Sequence, residues 1–76
     1  MDSKIREIIA RILEVETDEI EMDTVIGDLD EWDSLHHLQI IVALEKEYSI
    51  KFAQEDLAEL EDVSDLVSLV REMVEK

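Results

Sequence analysis

Ser34 and its neighbours are the residues of this chain whose types and spacing could do chemistry. The stretch EWDSLHHLQIIVALEKEY, residues 31–48, places a serine hydroxyl between Asp33 and Leu35 and follows it with two histidines. Three interpretations are open. Ser34 could be an ordinary helix-start residue, a nucleophile that a histidine activates, or a residue to which another group is attached.

The nucleophile interpretation rests on one spacing. Ser34 and His37 are three residues apart, which lets two side chains of one helix approach each other. However, the chain has no G-x-S-x-G turn and no obvious loop to stabilise an oxyanion. A domain of this size also buries only about 60% of its unfolded surface, which leaves little room for a substrate cleft. We therefore expect no catalytic residue and no enzymatic activity.

A metal site is the second chemical possibility, and its candidate ligands are Asp28, Asp30, Asp33, His36 and His37. Adjacent histidines on a helix point about 100° apart and rarely chelate one ion. The aspartates do not follow the spacing of a calcium-binding loop, and the chain has no cysteine, which excludes thiolate ligands and disulfides. We expect no dedicated metal site, although weak binding of divalent cations to the acidic loop stays open.

The two remaining interpretations both place Ser34 where a helix begins. An Asp-Ser pair is common there because both side chains can satisfy backbone N–H groups that lack a helical partner. At the first helical position the hydroxyl also faces solvent, where another enzyme could reach it. A phosphodiester attached there would lie beside free N–H groups at the positive end of the helix dipole, which favours an anion.

The elements around this site are predicted from the apolar spacing. A first helix ends near Val15, because five aliphatic residues fall on one helical face; they are Ile5, Ile8, Ile9, Ile12 and Leu13. Residues 16–32 show no sustained period and are expected to form a long loop. Its predicted anchors to the core are Ile20, Val25, Ile26 and Leu29.

Three more helices follow in the prediction. Asp33 is the expected N-cap of the second, and Asp62 with Asp65 resembles a capping box at the start of the last. A short helix is expected within residues 54–60. The inner face of the last helix is predicted to comprise Leu66, Leu69, Val70 and Met73. The sequence thus predicts one domain, residues 1–76, of the all-α class: a small four-helix bundle with three main helices, one short helix and a long loop between the first two.

The second helix carries more apolar surface than a core requires. One apolar stripe, predicted to be buried, comprises Ile40, Ile41, Leu44 and Tyr48. A different stripe is followed by Leu35, Leu38, either Ile41 or Val42, and Glu45. The net charge of −15 argues against nucleic acid or an anionic membrane as the partner. No secretion signal or membrane span is evident, so we expect the protein in the cytoplasm. We also expect a monomer, whose acidic surface and apolar second helix favour basic partners that are bound partly through apolar contact.

Asp33-Ser34-Leu35 is followed along the chain by the helical run LQIIVALEKEYSIKF, the short helix near Leu57 and the DVSDLV start of the last helix. In this combination the chain resembles the acyl carrier proteins over nearly its whole length. The resemblance implies a four-helix bundle in which Ser34, flanked by Asp33 and Leu35, receives 4'-phosphopantetheine from coenzyme A. A magnesium-dependent phosphopantetheinyl transferase attaches this arm in the family. The thiol of the arm then carries an acyl group as a thioester, and the carrier is not itself an enzyme.

The resemblance also implies partners and the surface that meets them. The partner classes are phosphopantetheinyl transferases and enzymes of the acyl-ACP synthetase, ketosynthase or acyltransferase type, in fatty-acid, polyketide, lipid or cell-envelope biosynthesis. Partner contacts are expected along the second helix and just before it, at Trp32, His36, His37, Leu38, Gln39, Val42 and Glu45. For Trp32, packing toward His37 is the favoured role and partner contact the second.

Departures from the family pattern narrow the prediction. The family often has D-L-G-x-D-S-L before the serine, whereas this chain has D-L-D-E-W-D-S-L, one residue longer and without the glycine. Housekeeping fatty-acid carriers usually have acids two and five residues after the serine, where this chain has His36 and Gln39. We therefore predict a specialised carrier. The alternatives are an unmodified acidic interaction module, or a carrier of aminoacyl cargo, which the missing G-G-x-S motif disfavours.

Overall fold

Four α-helices and one short 3₁₀ helix build the fold of the computed structural model, which describes residues 2–75. The helices are α1 (Asp2–Leu13), α2 (Ser34–Tyr48), α3 (Gln54–Ala58) and α4 (Val63–Val74), with the 3₁₀ helix at Thr17–Glu19. The described part of the chain contains no β-strand beyond one isolated bridge between Val25 and Asp62. The prediction of an all-α bundle with three main helices and a short one is therefore confirmed. None of the helices described between residues 2 and 75 has the length and apolar character needed to cross a bilayer.

Helix α1 ends two residues earlier than its apolar pattern predicts. Glu14 adopts a left-handed conformation with φ of 60°. The N–H of Glu14 then donates to the carbonyl of Arg11, and that of Val15 to the carbonyl of Ala10. These two bonds form a Schellman motif, which satisfies the last helical carbonyls and stops the helix.

The long loop between α1 and α2 is bonded to the start of α4. Ile26 N–H donates to the carbonyl of Glu61 at 2.9 Å, and Val63 N–H donates to the carbonyl of Thr24 at 3.0 Å. Side chains add to this attachment, since Ile20 is fully buried and Ile26 and Leu29 lie against the core. The loop is therefore held in place despite having little regular structure.

Val25 was wrongly predicted as a core anchor, because its side chain is 53% exposed. Its contribution comes through the backbone, in the bridge to Asp62. The apolar residue beside it, Ile26, is the one that reaches the core cluster.

Helices α1, α2 and α4 contribute the fully buried aliphatic side chains of the core. Those with no measurable exposure on these helices are Ile5, Ile9, Ile40, Leu44, Val63, Leu66 and Val70. The predicted inner faces are confirmed at Ile40, Ile41, Leu44, Leu66 and Val70, while Tyr48, Leu69 and Met73 are only partly buried. In α3 no residue is buried outright, and Leu57 lies against the core as a partly buried residue. The core of the bundle is thus formed mainly by the packing of α1, α2 and α4.

Candidate functional site

Ser34 is the first residue of α2, and its side chain is exposed. Asp33 caps the helix as predicted: its Oδ1 accepts a hydrogen bond from the N–H of His36 at 2.9 Å. Its own carbonyl accepts from the N–H of His37 at 2.9 Å. The serine hydroxyl therefore lies at a fixed point on the surface, because the residue before it is bonded twice to the first turn.

The start of α2 already holds a negative charge. The pKa of Asp33 is lowered, first by the hydrogen bond from the N–H of His36, then by the hydrogen bond to the His36 ring. The ring Nδ1 of His36 lies 2.7 Å from Asp33 Oδ1. The sequence argument placed an attached anion beside free N–H groups, and this is wrong for His36, whose N–H is taken by the Asp33 carboxylate.

Trp32 and His37 form a hydrogen-bonded pair beneath the serine. The indole Nε1–H of Trp32 donates to Nδ1 of His37 at 3.1 Å, and the ring centroids are 6.1 Å apart. Burial lowers the pKa of His37 below its ordinary value of 6.5. Because an indole can only donate, the neutral imidazole must keep its proton on Nε2.

This pair corrects one predicted role. Trp32 is only 3% exposed, so the expectation that it contacts partner enzymes is wrong, and the packing role is the one that the structure shows. A large aromatic side chain with one donor is well suited to this position, since its body fills the core and its N–H finds a partner. His37 is half-buried, with one ring nitrogen engaged by the indole.

A pocket of about 200 Å³ lies directly beside Ser34. Its lining residues are Ile26, Gly27, Trp32, Asp33, Ser34 and His37. Gly27 lines the pocket from a turn of the loop. It has φ of +88°, and the N–H of Asp28 donates to the carbonyl of Val25 at 3.0 Å, as in a type II turn. The sequence contains a single glycine, and its place in the loop before the serine was the signal that could have marked this part of the pocket.

Beyond the serine, α2 exposes an apolar strip that we define as Leu35, Leu38 and Val42. Their side chains are 61%, 60% and 42% exposed. An open groove of about 370 Å³ continues the strip. It is lined by Leu38, Gln39, Val42, Ala43 and Lys46. Four of the predicted partner contacts thus lie at or near one surface: His36, Leu38, Gln39 and Val42. The prediction missed Ala43 and Lys46, although helical spacing puts them on the same face.

Glu45 has an internal role that the sequence did not indicate. Its Oε2 accepts a hydrogen bond from the N–H of Phe52 at 2.9 Å. The bond ties the last turns of α2 to the segment that leads into α3. Its predicted contact with partners stays a prediction.

Within residues 2–75, no three His, Asp or Glu side chains are placed so that they could hold a metal ion. The functional groups at the site include the exposed hydroxyl of Ser34, the carboxylate of Asp33, the His37 imidazole with one N–H to donate, and an apolar surface.

Comparison with known proteins shows the family to which the chain belongs. A family model described as "Phosphopantetheine attachment site" matches residues 3–70. The acyl carrier protein of Clostridium perfringens (strain 13 / Type A) is 42% identical over 77 residues, covering all of both chains. The chain belongs to the acyl carrier protein family. A second member, from Petrotoga mobilis, is 32% identical over 69 residues, with 91% of this chain and 81% of the relative covered.

A solved structure agrees with the bundle. The solution structure of a holo acyl carrier protein from Geobacter metallireducens superposes with a TM-score of 0.86 at 34% identity, covering 96% of this chain and 84% of that one. As an acyl carrier protein, the chain is a carrier and not an enzyme, and its cofactor is covalently attached 4'-phosphopantetheine. Its family implies a phosphopantetheinyl transferase and acyl-handling enzymes as partners.

Proposed function

We propose that Ser34 is the residue that carries the 4'-phosphopantetheine arm, and that acyl intermediates are delivered to partner enzymes from this point. The observation that carries the proposal is the position of the hydroxyl: exposed, at the first residue of α2, and bordered by both the pocket and the apolar strip. When attached, the arm supplies the thiol that this cysteine-free chain lacks.

The residues around Ser34 prepare it for modification by another enzyme. The Asp33 cap fixes the start of α2, so the hydroxyl is presented in one place without a costly rearrangement. In the transfer, Ser34 Oγ forms the bond to phosphorus and loses its proton, while the pyrophosphate bond of coenzyme A breaks and the adenosine bisphosphate half leaves. We assign the acceptor of this proton to the transferase.

The apolar strip is the proposed docking surface for partner enzymes. Leu35 to Val42 extends about 10 Å along the helix, and three exposed aliphatic side chains offer the apolar contact that anchors protein interfaces. Beside the strip in sequence, this chain has His36 and Gln39 where a more acidic helix would have carboxylates, and Lys46 lines the groove. A partner that recognises mainly negative charge is therefore expected to bind this surface more weakly than a partner with a complementary apolar patch.

From this surface we further propose a specialised carrier in fatty-acid, polyketide, lipid or cell-envelope biosynthesis, rather than the housekeeping fatty-acid carrier. Its partners are then a small set of enzymes of the acyl-ACP synthetase, ketosynthase or acyltransferase type. The proposed carrier acts in the cytoplasm as a monomer. Aminoacyl cargo is the second candidate, and loading by an acyl-activating or an aminoacyl-activating enzyme distinguishes the two.

The deciding experiment is intact mass after incubation with coenzyme A, magnesium and a broad-specificity phosphopantetheinyl transferase. The native chain should gain one phosphopantetheinyl group, and Ser34→Ala should gain none. Ser68→Ala removes an exposed serine of α4 and serves as the matched control, which should be modified fully. Modification of Ser34→Ala, or no modification of a folded native chain by any of several transferases, would refute the proposal.

A further inference from the structure

We propose that the pocket beside Ser34 receives the first part of the attached arm, and that His37 Nε2–H donates a hydrogen bond to its phosphodiester. His37 is thus a positioning residue for the prosthetic group, held by Trp32. The inference rests on the proposal that Ser34 is the attachment residue. It specifies in addition where the arm lies on the protein surface.

The charge at the start of α2 creates the need for such a donor. A helix N-terminus usually stabilises an anion through its free N–H groups. Here the carboxylate of Asp33 already accepts from His36 N–H at 2.9 Å and stays ionised, as its lowered pKa indicates. A phosphodiester on the next residue meets an existing negative charge, so a donor from another direction is needed to hold it.

His37 is placed and protonated to be that donor. It lies one helical turn from Ser34, on the same face, and both line the same pocket. Its Nδ1 is occupied by the Trp32 indole at 3.1 Å, which leaves the proton of the neutral ring on Nε2. The buried Trp32 thereby fixes both the tautomer and the ring orientation.

The pocket has a suitable size and composition for the proximal arm. Its volume is about 200 Å³, and Gly27, Trp32 and His37 are among the residues that line it. Ile26, an aliphatic residue of the loop, also lines the pocket. A small apolar segment with one anionic group at its base matches this lining, whereas a long acyl chain exceeds the volume.

The charged groups facing the pocket set its response to pH. Asp33 and His37 are the titratable residues that line it, and the Asp33 carboxylate is additionally bonded to the ring of His36. Burial favours neutral His37 in the unmodified chain. An adjacent phosphodiester favours the imidazolium, because an opposite charge stabilises the charged form.

The test is a pH titration of the apo and phosphopantetheinylated protein, with two readouts. Trp32 is the single tryptophan, so its fluorescence reports protonation of His37. The phosphorus NMR signal of the arm reports the same event, since a phosphodiester itself does not titrate near neutral pH. Modification should raise the fluorescence midpoint by about half a pH unit or more, and the phosphorus signal should shift with that same midpoint.

Two variants and a salt series make the test specific. His37→Gln should abolish both titrations, whereas His36→Gln, one residue along the helix, should preserve them. The midpoint shift should persist in 1 M NaCl, where the Debye length is about 3 Å and a distant charge is screened. Equal midpoints before and after modification, a phosphorus signal unchanged by pH, or a shift that 1 M NaCl removes would each overturn the inference.

Failure of the underlying function gives a different result. If intact mass shows no arm on Ser34, the attachment proposal fails before any titration begins. If the arm is attached but the midpoint does not move, the attachment proposal stands and the role of His37 is wrong.

Discussion

The hydrogen bond between Glu45 and the N–H of Phe52 gives the sharpest test of how the bundle is held together. Glu45 is the one predicted partner contact whose carboxylate is engaged inside the protein, at 2.9 Å from the Phe52 nitrogen. Glu45→Ala leaves that N–H without its acceptor. We expect the variant to be less stable while its helix propensity is nearly unchanged, because alanine is a good helix former.

The magnitude follows from the burial of the pair. Removing the acceptor of a fully buried donor costs about 1–3 kcal/mol of unfolding free energy. The Glu45–Phe52 bond is only partly buried, so water can reach the exposed N–H, and the expected cost is about 1 kcal/mol. For a domain of this length, that loss lowers the melting temperature by about 4–8 °C.

Two matched variants separate the hydrogen bond from the charge. Glu45→Gln keeps an oxygen acceptor but removes the charge, and a neutral bond is about half as strong, so a smaller loss is expected. Glu47→Ala removes the same charge two residues away, where the carboxylate lies 3.9 Å from the Lys4 ammonium in an exposed pair. That variant should change stability by less than about 0.5 kcal/mol.

Urea unfolding followed by circular dichroism, with the melting temperature as a second measure, provides the assay. All three variants should still accept the arm on Ser34, because Glu45 lies about 16 Å along the helix from the serine. If Glu45→Ala is as stable as Glu47→Ala, the bond contributes nothing and Glu45 is free to act as a partner contact.

Three further predictions test the loop and the pocket. Gly27→Ala places a Cβ on a residue with φ of +88° and should lower the free energy of unfolding in urea by about 1 kcal/mol. Gly27→Asn should lower it by less, and equal stability of Gly27→Ala and the native chain would contradict the turn assignment. Ile20→Ala should cost about 2–5 kcal/mol in the same assay because Ile20 is fully buried, whereas Val25→Ala should stay within about 0.5 kcal/mol. The pKa of His37 in the folded protein lies below the ordinary 6.5, so the unfolded chain binds a proton at higher pH than the folded one does. The contribution of His37 to the free energy of unfolding should therefore fall as the pH drops below about 6.5. Urea unfolding between pH 8 and about 5.5 should show this loss in the native protein and a smaller one in His37→Gln, and equal pH dependence would contradict the assigned burial.

Local patterns predicted the elements well where local physics decides them. The spacing of Ile5, Ile8 and Ile9 marks a helical face in any context, and Asp33 before Ser34 is an N-cap because its side chain needs only the next turn as a partner. The end of α1 was less predictable. Glu14 stops the helix in a left-handed conformation that the sequence pattern, which remains apolar through Val15, does not signal.

The long loop shows where such patterns fail. Ile20 and Val25 look equivalent in the sequence, yet one is fully buried and the other 53% exposed. The difference arises from the backbone bonds of Thr24 and Ile26 to the start of α4, nearly forty residues later in the chain. No local spacing encodes a pairing between segments so distant in sequence.

The sequence by itself determined the class of this protein: an acidic, cysteine-free helical bundle with a serine at the start of its second helix, in the order of elements shared by acyl carrier proteins. Only the tertiary structure decided which neighbours of Ser34 face outward and which support it. Trp32 is buried with its N–H on His37, Glu45 turns to the Phe52 backbone, and Leu35, Leu38 and Val42 remain exposed. The physical reason is that helical periodicity fixes which residues share a face, whereas packing of α1, α4 and the loop against α2 decides which of its faces is left for solvent and partners.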